Sequence, residues 1–340
     1  MNKTQGIRRS LLRWFNAHKR DLPWRRTRDP YRIWVAEIML QQTRVPAVIP
    51  YYHRFLRAFP SVRKLSRARL DSVLRLWAGL GYYSRARHLH QAAKLIARQH
   101  GGRFPARLEQ ALALPGIGPY TARAILSIAY QKPVAVVDGN VARVLARVFR
   151  FHDKDVNDRR QFQPLADELV DPRRPGDFNQ ALMELGSTIC LPRRPRCADC
   201  PLEKLCAARQ AGVERTLGLR RHKRARPTTT LSVLVPRQNG RLLLVREPDG
   251  VFSGLWHFPY SASREPARLA RQLGATRPRY VETIKHEMTA RHLVLRVYEA
   301  GGKADGNGLL PGRWVRPQDI ARLGVGAATR KIAAALENRG

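Results

Sequence analysis

Between residues 114 and 138 the chain reads Leu-Pro-Gly-Ile-Gly-Pro-Tyr-Thr-Ala-Arg-Ala-Ile-Leu and runs on to Val-Val-Asp-Gly-Asn. Pro115, Gly116, Gly118 and Pro119 crowd the point where two helical patterns should meet, so they form a tight interhelical turn. Glycines there let the backbone approach another molecule closely. The helix expected from about Pro119 aims its free N–H groups at that molecule, which suits a phosphate. The apolar run 134–137 then delivers Asp138 just before a second helical pattern, Val141, Val144, Leu145 and Val148. Asp138 has two readings, an N-cap of that helix or a carboxylate presented beside the turn.

At 340 residues the chain can hold two domains with their own cores, and a hydrophobic fraction of 44% indicates a folded protein. Lys+Arg 63 against Asp+Glu 26 gives a net charge of +37, which points to a polyanion such as DNA or RNA. Charge alone ranks such partners and identifies none. No apolar run approaches the roughly 18 residues of a membrane helix. The basic N-terminus (Lys3, Arg8, Arg9) lacks the apolar core of a secretory signal, so a cytoplasmic, nucleoid-associated protein with no membrane partner is expected.

Helical spacing is evident over 7–18, followed by a break at Leu22-Pro23-Trp24-Arg25. Asp29-Pro30 is a helix start, with Asp as N-cap and Pro in the first turn. The helix after it carries Ile33, Trp34, Ile38 and Leu40 with Glu37 among them, and ends in Gln41-Gln42-Thr43-Arg44. A carboxylate in that setting is costly to bury ionised, so its pKa should rise. The plainer alternative puts Glu37 at the wet edge of an amphipathic helix.

Residues 65–100 give two more helices around Gly79-Leu80-Gly81-Tyr82-Tyr83-Ser84-Arg85-Ala86-Arg87. Glycines, aromatics and arginines in one loop suit a wedge into stacked bases that also holds phosphates. The alternative is a helix cap with core tyrosines. Helix returns over 160–189, and strand-like runs are almost absent before residue 225, so the first domain is all-α.

The four cysteines, Cys190, Cys197, Cys200 and Cys206, are spaced Cys-x6-Cys-x2-Cys-x5-Cys. That clustering favours metal ligation over disulfides. A four-thiolate site takes zinc or an iron–sulfur cluster, and spacing alone does not separate them. Arg193, Arg194 and Arg196 lie inside the loop, so the metal would staple a basic, DNA-facing segment.

Residues 215–226 hold six basic residues and no acid, then Pro227 follows; this is a charged linker. Beyond it strands are expected over 229–236, 242–246, 280–284 and 292–299, with helices over 265–273 and 327–336. The predicted layout is an all-α domain over 1–212 that includes the cysteine loop 190–206, a linker over 213–227, and an α+β domain over 228–340.

Taken together, Leu22-Pro23-Trp24-Arg25, the segment 35–43, Gly79-Leu80-Gly81-Tyr82-Tyr83, the turn 114–121, Val137-Asp138-Gly139-Asn140-Val141 and the cysteine set resemble the MutY-type adenine DNA glycosylases of the helix-hairpin-helix, Gly/Pro…Asp superfamily. The resemblance runs through nearly the whole first domain, and the α+β domain is similar to that family's Nudix-like domain. It implies a 4Fe–4S cluster on Cys190, Cys197, Cys200 and Cys206. It also implies excision of adenine mispaired with 8-oxoguanine or guanine from duplex DNA, by a monomer that flips the purine out.

Roles carry over by position. Glu37 would protonate adenine N7 and then help water attack; Asp138 would stabilise the sugar cation, by charge or through an adduct. Tyr120 and Asn140 would position these groups. Arg25, Gly116 and Gly118 would hold DNA, Gln42 and Tyr82 would fill or wedge the stack, and Thr43 and Leu80 would sit near the orphaned base. The chemistry agrees: adenine leaves poorly as an anion and needs an acid, while an oxocarbenium-like sugar needs a negative neighbour. Bifunctional relatives carry a Schiff-base Lys where this chain has Tyr120, so excision without strand cleavage is expected.

Two departures stand out in the α+β domain. Carboxylates for a Nudix magnesium site would fall at Arg268, Arg271 and Gln272, so no magnesium is expected. The family's Phe-Ser-His lesion-sensing triplet corresponds to Met288-Thr289-Ala290. Thr289 keeps a hydroxyl, with His286 or His292 as possible substitutes for the imidazole. Either the loop has drifted, or the opposing base differs and the enzyme takes thymine or uracil opposite guanine, or adenine in another context.

Overall fold

The computed structural model describes residues 2–151, 158–218, 225–263, 265–288, 291–301 and 311–337. Thr289, the expected lesion-sensing residue, lies outside them. In chain order the helices are α1 (Lys3–His18), α2 (Pro30–Leu40), α3 (Val45–Ala58), α4 (Val62–Ser66), α5 (Leu70–Trp77), α6 (Tyr83–Gln99), α7 (Leu108–Leu112), α8 (Pro119–Tyr130), α9 (Gly139–Val148), α10 (Gln163–Leu169), α11 (Pro175–Thr188), α12 (Ala207–Gln210), α13 (Pro266–Gln272) and α14 (Ala327–Glu337). The strands are β1 (Thr228–Gln238), β2 (Arg241–Arg246), β3 (Trp256–His257), β4 (Tyr260–Ser261), β5 (Thr276–Glu287), β6 (His292–Gly301) and β7 (Gly312–Val315). Two units emerge, Met1–Arg67 with His88–Lys223, and Ala68–Arg87 with Arg224–Gly340.

The first unit is helical. Asp29 caps α2 by accepting from the Tyr31 N–H at 2.9 Å, and Pro30 occupies the first turn. Tyr31 and every residue from Ile33 to Met39 are buried, which is the pattern of a helix enclosed on all sides. It packs against α3 and α8. A second cluster joins α1 (Ile7, Leu11, Phe15), α9 (Val141, Val144, Leu145, Val148) and α11 (Phe178, Leu182, Leu185). Leu202, Cys206 and Leu217 complete it, so the packed chain runs past residue 212 and takes in the start of the stretch read as linker.

The second unit is built on a mixed sheet in the order β3-β2-β1-β6-β5, with β1 parallel to β6 and β4 and β7 paired to β1 and β2. Alternation along β1 sends Leu231, Val233 and Val235 to one face with Ile332 and Leu336 of α14. Leu234 goes to the other face with Leu269 and Ala270 of α13. The segment Ala68–Arg87, read from sequence within the first domain, is tied into this unit: Asp71 pairs with Arg246 at 2.8 Å and the Tyr83 hydroxyl donates to the Val325 carbonyl at 3.3 Å. No helix among the described residues is long and apolar enough to cross a membrane.

Candidate active site

Glu37 sits on the last turns of α2, only 6% exposed. Burial is the main force on its carboxyl, and the neighbouring charge of Asp138 adds to it; a hydrogen bond with Tyr120 and the charge of Arg25 act in the opposite direction. The outcome is a pKa pushed up to about 7. Tyr120, at the start of α8, is driven well above the usual phenol range by its own burial and by the charges of Glu37 and Asp138, so it stays a neutral O–H. Its hydroxyl also contacts Met183 Sδ at 3.2 Å. The enclosed reading of Glu37 holds, and α2 and α8 bring it together with Tyr120 and Asp138.

Asp138 satisfies both of its readings. It is the N-cap of α9, with Oδ1 accepting from the N–H groups of Asn140 at 2.9 Å and Val141 at 2.7 Å. Oδ2 accepts from Asn140 Nδ2 at 3.0 Å. The positive end of a helix dipole therefore faces a carboxylate whose charge is felt at Glu37. Asn140 Oδ1 in turn accepts from Arg143 Nη2 at 3.0 Å. Arg143 also donates to the carbonyls of Gly186 at 2.6 Å and Cys190 at 2.9 Å, which links the Asp138 end of α9 to the cysteine loop. Gly186 is required by space, since a Cβ there would lie 2.7 Å from Asn140 Cβ.

Arg25 has partners within its own unit. Its guanidinium bonds Glu184 Oε2 at 2.9 Å, Gln180 Oε1 at 3.3 Å and the Arg20 carbonyl at 3.0 Å, and lies over the Phe15 ring. These partners hold the guanidinium within the fold, and its charge reaches the Glu37 carboxyl. Sequence reasoning missed Glu184. Burial alone would raise its carboxyl, but hydrogen bonds from Arg20 and Arg25 override that and hold it below the usual range. The available signal was a carboxylate set among Leu182, Met183 and Leu185.

All four cysteines border one cavity, together with Val144, Val148, Leu185 and Ile189. Arg147, 1% exposed, spans its rim: it donates to the carbonyls of Leu191, Pro192 and Leu217 and lies 3.3 Å from Cys190 Sγ. Among the described residues no three His, Cys, Asp or Glu side chains converge on a single point as one ion would need.

The turn before α8 has a left-handed residue at Gly116 (φ +74°), where a Cβ would lie 2.6 Å from His88 Cβ. Gly118 needs no such freedom: its φ is −91°, and the space a Cβ would take is open. Helix α8 begins without a side-chain cap, so the turn presents first-turn N–H groups over that open space. Gln42 (φ +58°) and Tyr82 (φ +51°), the two expected wedge residues, both adopt the left-handed conformation that non-glycine residues rarely take. Gln42 is exposed and Thr43 half-buried. Leu80, expected near the orphaned base, is 6% exposed; as an apolar side chain it turns inward and leaves Tyr82 half-buried at the surface of its unit.

Residues 35–172 match the family model of the HhH-GPD superfamily base excision DNA repair proteins, and residues 232–335 match that of the NUDIX domain. The adenine DNA glycosylase of Homo sapiens is 38% identical over 96% of this chain and 73% of its own length. The chain belongs to the adenine DNA glycosylase family. A second relative, the adenine DNA glycosylase of Buchnera aphidicola (subsp. Acyrthosiphon pisum), is 33% identical over 76% of this glycosylase and 75% of its own length. Among solved structures, a thermostable thymine-DNA glycosylase superposes with a TM-score of 0.58 at 32% identity, over 62% of this glycosylase and 97% of that chain. Endonuclease III in a trapped DNA complex shares the fold, at 21% identity and a TM-score of 0.51 over 62% and 99% of the two chains. The glycosylase is thus a base excision repair enzyme with a helical HhH-GPD unit and a Nudix-like unit.

Proposed function

We propose that this adenine DNA glycosylase excises adenine opposite 8-oxoguanine, and opposite guanine, by acid-assisted hydrolysis without strand cleavage. The observation that carries the reading is the Glu37 carboxyl, buried against Tyr120 in the field of Asp138 and half-protonated near neutral pH. Glu37 donates its proton to adenine N7. The C1′–N9 bond then breaks with its electron pair leaving on a neutral base, and Asp138 stabilises the cationic sugar. Water adds to C1′ and returns a proton to the Glu37 carboxylate. Tyr120 and Asn140 orient the two carboxyl groups and touch no reacting atom in this scheme. Without an amine at position 120 there is no Schiff base to drive strand scission.

The family likeness favours a 4Fe–4S cluster on Cys190, Cys197, Cys200 and Cys206. All four thiols line one cavity and lie close enough to feel one another's charge, as a shared four-thiolate group requires. Bound there, the cluster supplies a cross-link that fixes the loop carrying Arg193, Arg194 and Arg196. Gly116, Gly118 and the α8 start hold the DNA backbone, Gln42 and Tyr82 enter the stack, and the protein acts as a monomer in the cytoplasm.

A second reading, thymine opposite guanine, is favoured by the likeness to the thymine-DNA glycosylase. Thymine has no N7 to protonate, so a buried acid favours the purine. Single-turnover excision from duplexes bearing A·8-oxoguanine, A·G and T·G separates the two. Release of adenine, with strand breaks appearing only after alkali, is expected. Cleavage of T·G alone contradicts the proposal.

A further inference from the structure

In the Nudix-like unit β2 and β7 pair antiparallel, Leu242 opposite Val315, Leu243 opposite Trp314 and Leu244 opposite Arg313. An open concavity of about 410 Å³ lies at this pair, bordered by Arg241, Arg313, Arg316 and Arg322 around Trp314 and Asp319. All four arginines are exposed. The single acid, Asp319, is taken by Arg322 at 3.0 Å. That leaves Arg241, Arg313 and Arg316 with no ion pair among the described residues.

Their placement sets this patch apart from the general arginine excess. Arg241 precedes Leu242 and Arg316 follows Val315, so the two stand at matching ends of one antiparallel pair. Leu243 and Trp314 belong to one core layer, Leu242 and Val315 to the other. Strand alternation therefore puts Arg241 and Arg316 on the Trp314 face, whereas Arg313 starts from the opposite face of β7 and borders the concavity from there. Like charges so placed on paired strands repel, and an anion between them relieves that repulsion. Guanidinium forks match phosphate oxygens two at a time, and here the strands hold them in place.

We propose that the Arg241–Arg313–Arg316 concavity is a second DNA-backbone site, separate from the Glu37–Asp138 site of the other unit. It takes phosphodiester groups of the duplex without reading sequence. An acidic protein segment is the competing occupant, but the substrate of this enzyme is itself a polyanion that arrives with every encounter.

The test uses the full chain with Arg241, Arg313 and Arg316 all changed to Ser, and a control with the exposed Arg268, Arg271 and Arg279 changed to Ser for the same loss of charge. Affinity for an undamaged long duplex is measured against salt. For each phosphate that the protein no longer neutralises, the slope of log K against log[salt] falls by about 0.9. The site variant is expected to lose up to about 2.7 in slope and at least tenfold in affinity near 0.1 M salt. The control should lose clearly less, and the triple Lys variant should keep the slope. An unchanged slope, or an equal loss in the control, overturns the proposal. So does competition at these arginines by polyglutamate while the DNA slope stays put. Absence of adenine excision in the unmodified enzyme would strike the functional reading and leave the salt slope readable.

Discussion

Asn140 donates its side-chain amide to Asp138 Oδ2 at 3.0 Å while its own Oδ1 accepts from Arg143 at 3.0 Å. The carboxylate assigned to the sugar cation is therefore oriented by a neutral amide that is itself held by a buried guanidinium. Asn140→Ala should slow single-turnover excision by about 10- to 100-fold, the worth of one hydrogen bond to a charged group. Duplex affinity should stay within a factor of about two of the unmodified enzyme. An equal loss in both measurements would mean that Asn140 acts through folding or DNA contact.

Glu37 should make the protein less stable as it makes it active. Its folded pKa of about 7 lies above its unfolded value, so its contribution to stability is fully present below the unfolded pKa and is lost as pH rises through about 7. Relative to the unmodified protein, Glu37→Gln should gain stability at pH 8, by at most about 3 kcal/mol, and gain little at pH 4. Chemical denaturation at the two pH values checks this. Equal effects at both would place Glu37 in water.

The left-handed backbone at Gln42 is strain kept at an exposed position. Gln42→Gly should leave stability unchanged or raise it by up to about 1 kcal/mol, yet reduce excision from a paired duplex. Excision of the same adenine from a single strand should fall less. A destabilised Gln42→Gly protein would show that the conformation is held by packing.

Arg147 fastens the cysteine loop to α9 through the carbonyls of Leu191 and Pro192, and ties down Leu217 through a third. Arg147→Met should leave these acceptors without their donor, the Leu217 carbonyl in the core among them, and cost about 3 kcal/mol or more. Purified unmodified protein should be brown, with a broad band near about 400 nm, as an iron–sulfur chromophore gives. The variant should lose that band on mild oxidation sooner. A colourless protein carrying zinc would remove the cluster assignment.

What could be read from the sequence followed chain periodicity and short motifs. The Asp29-Pro30 start, the enclosed α2, the turn at Gly116 and the N-cap at Asp138 are local events, decided by a few neighbouring side chains. The pairing of Glu37 with Tyr120 could only come from a family resemblance, because the two residues meet through packing of α2 on α8. The bond of Arg25 to Glu184 was hidden for a related reason: the two residues stand 159 apart along the chain, with no local signal to join them. The grouping of 68–87 with the Nudix-like unit had no sequence signal either, since it depends on Asp71 meeting Arg246 and Tyr83 meeting Val325.

The most direct measurement is the pH dependence of single-turnover adenine excision, taken on the unmodified enzyme and on Glu37→Gln. With Glu37 as the acid, the rate should hold below pH 7 and fall about tenfold per unit above it, because the proton is lost as pH rises through the folded pKa. Glu37→Gln should show no such descent and only residual excision. A rate that stays level from pH 6 to pH 9, or a Glu37→Gln enzyme that keeps the same descent, would contradict the account.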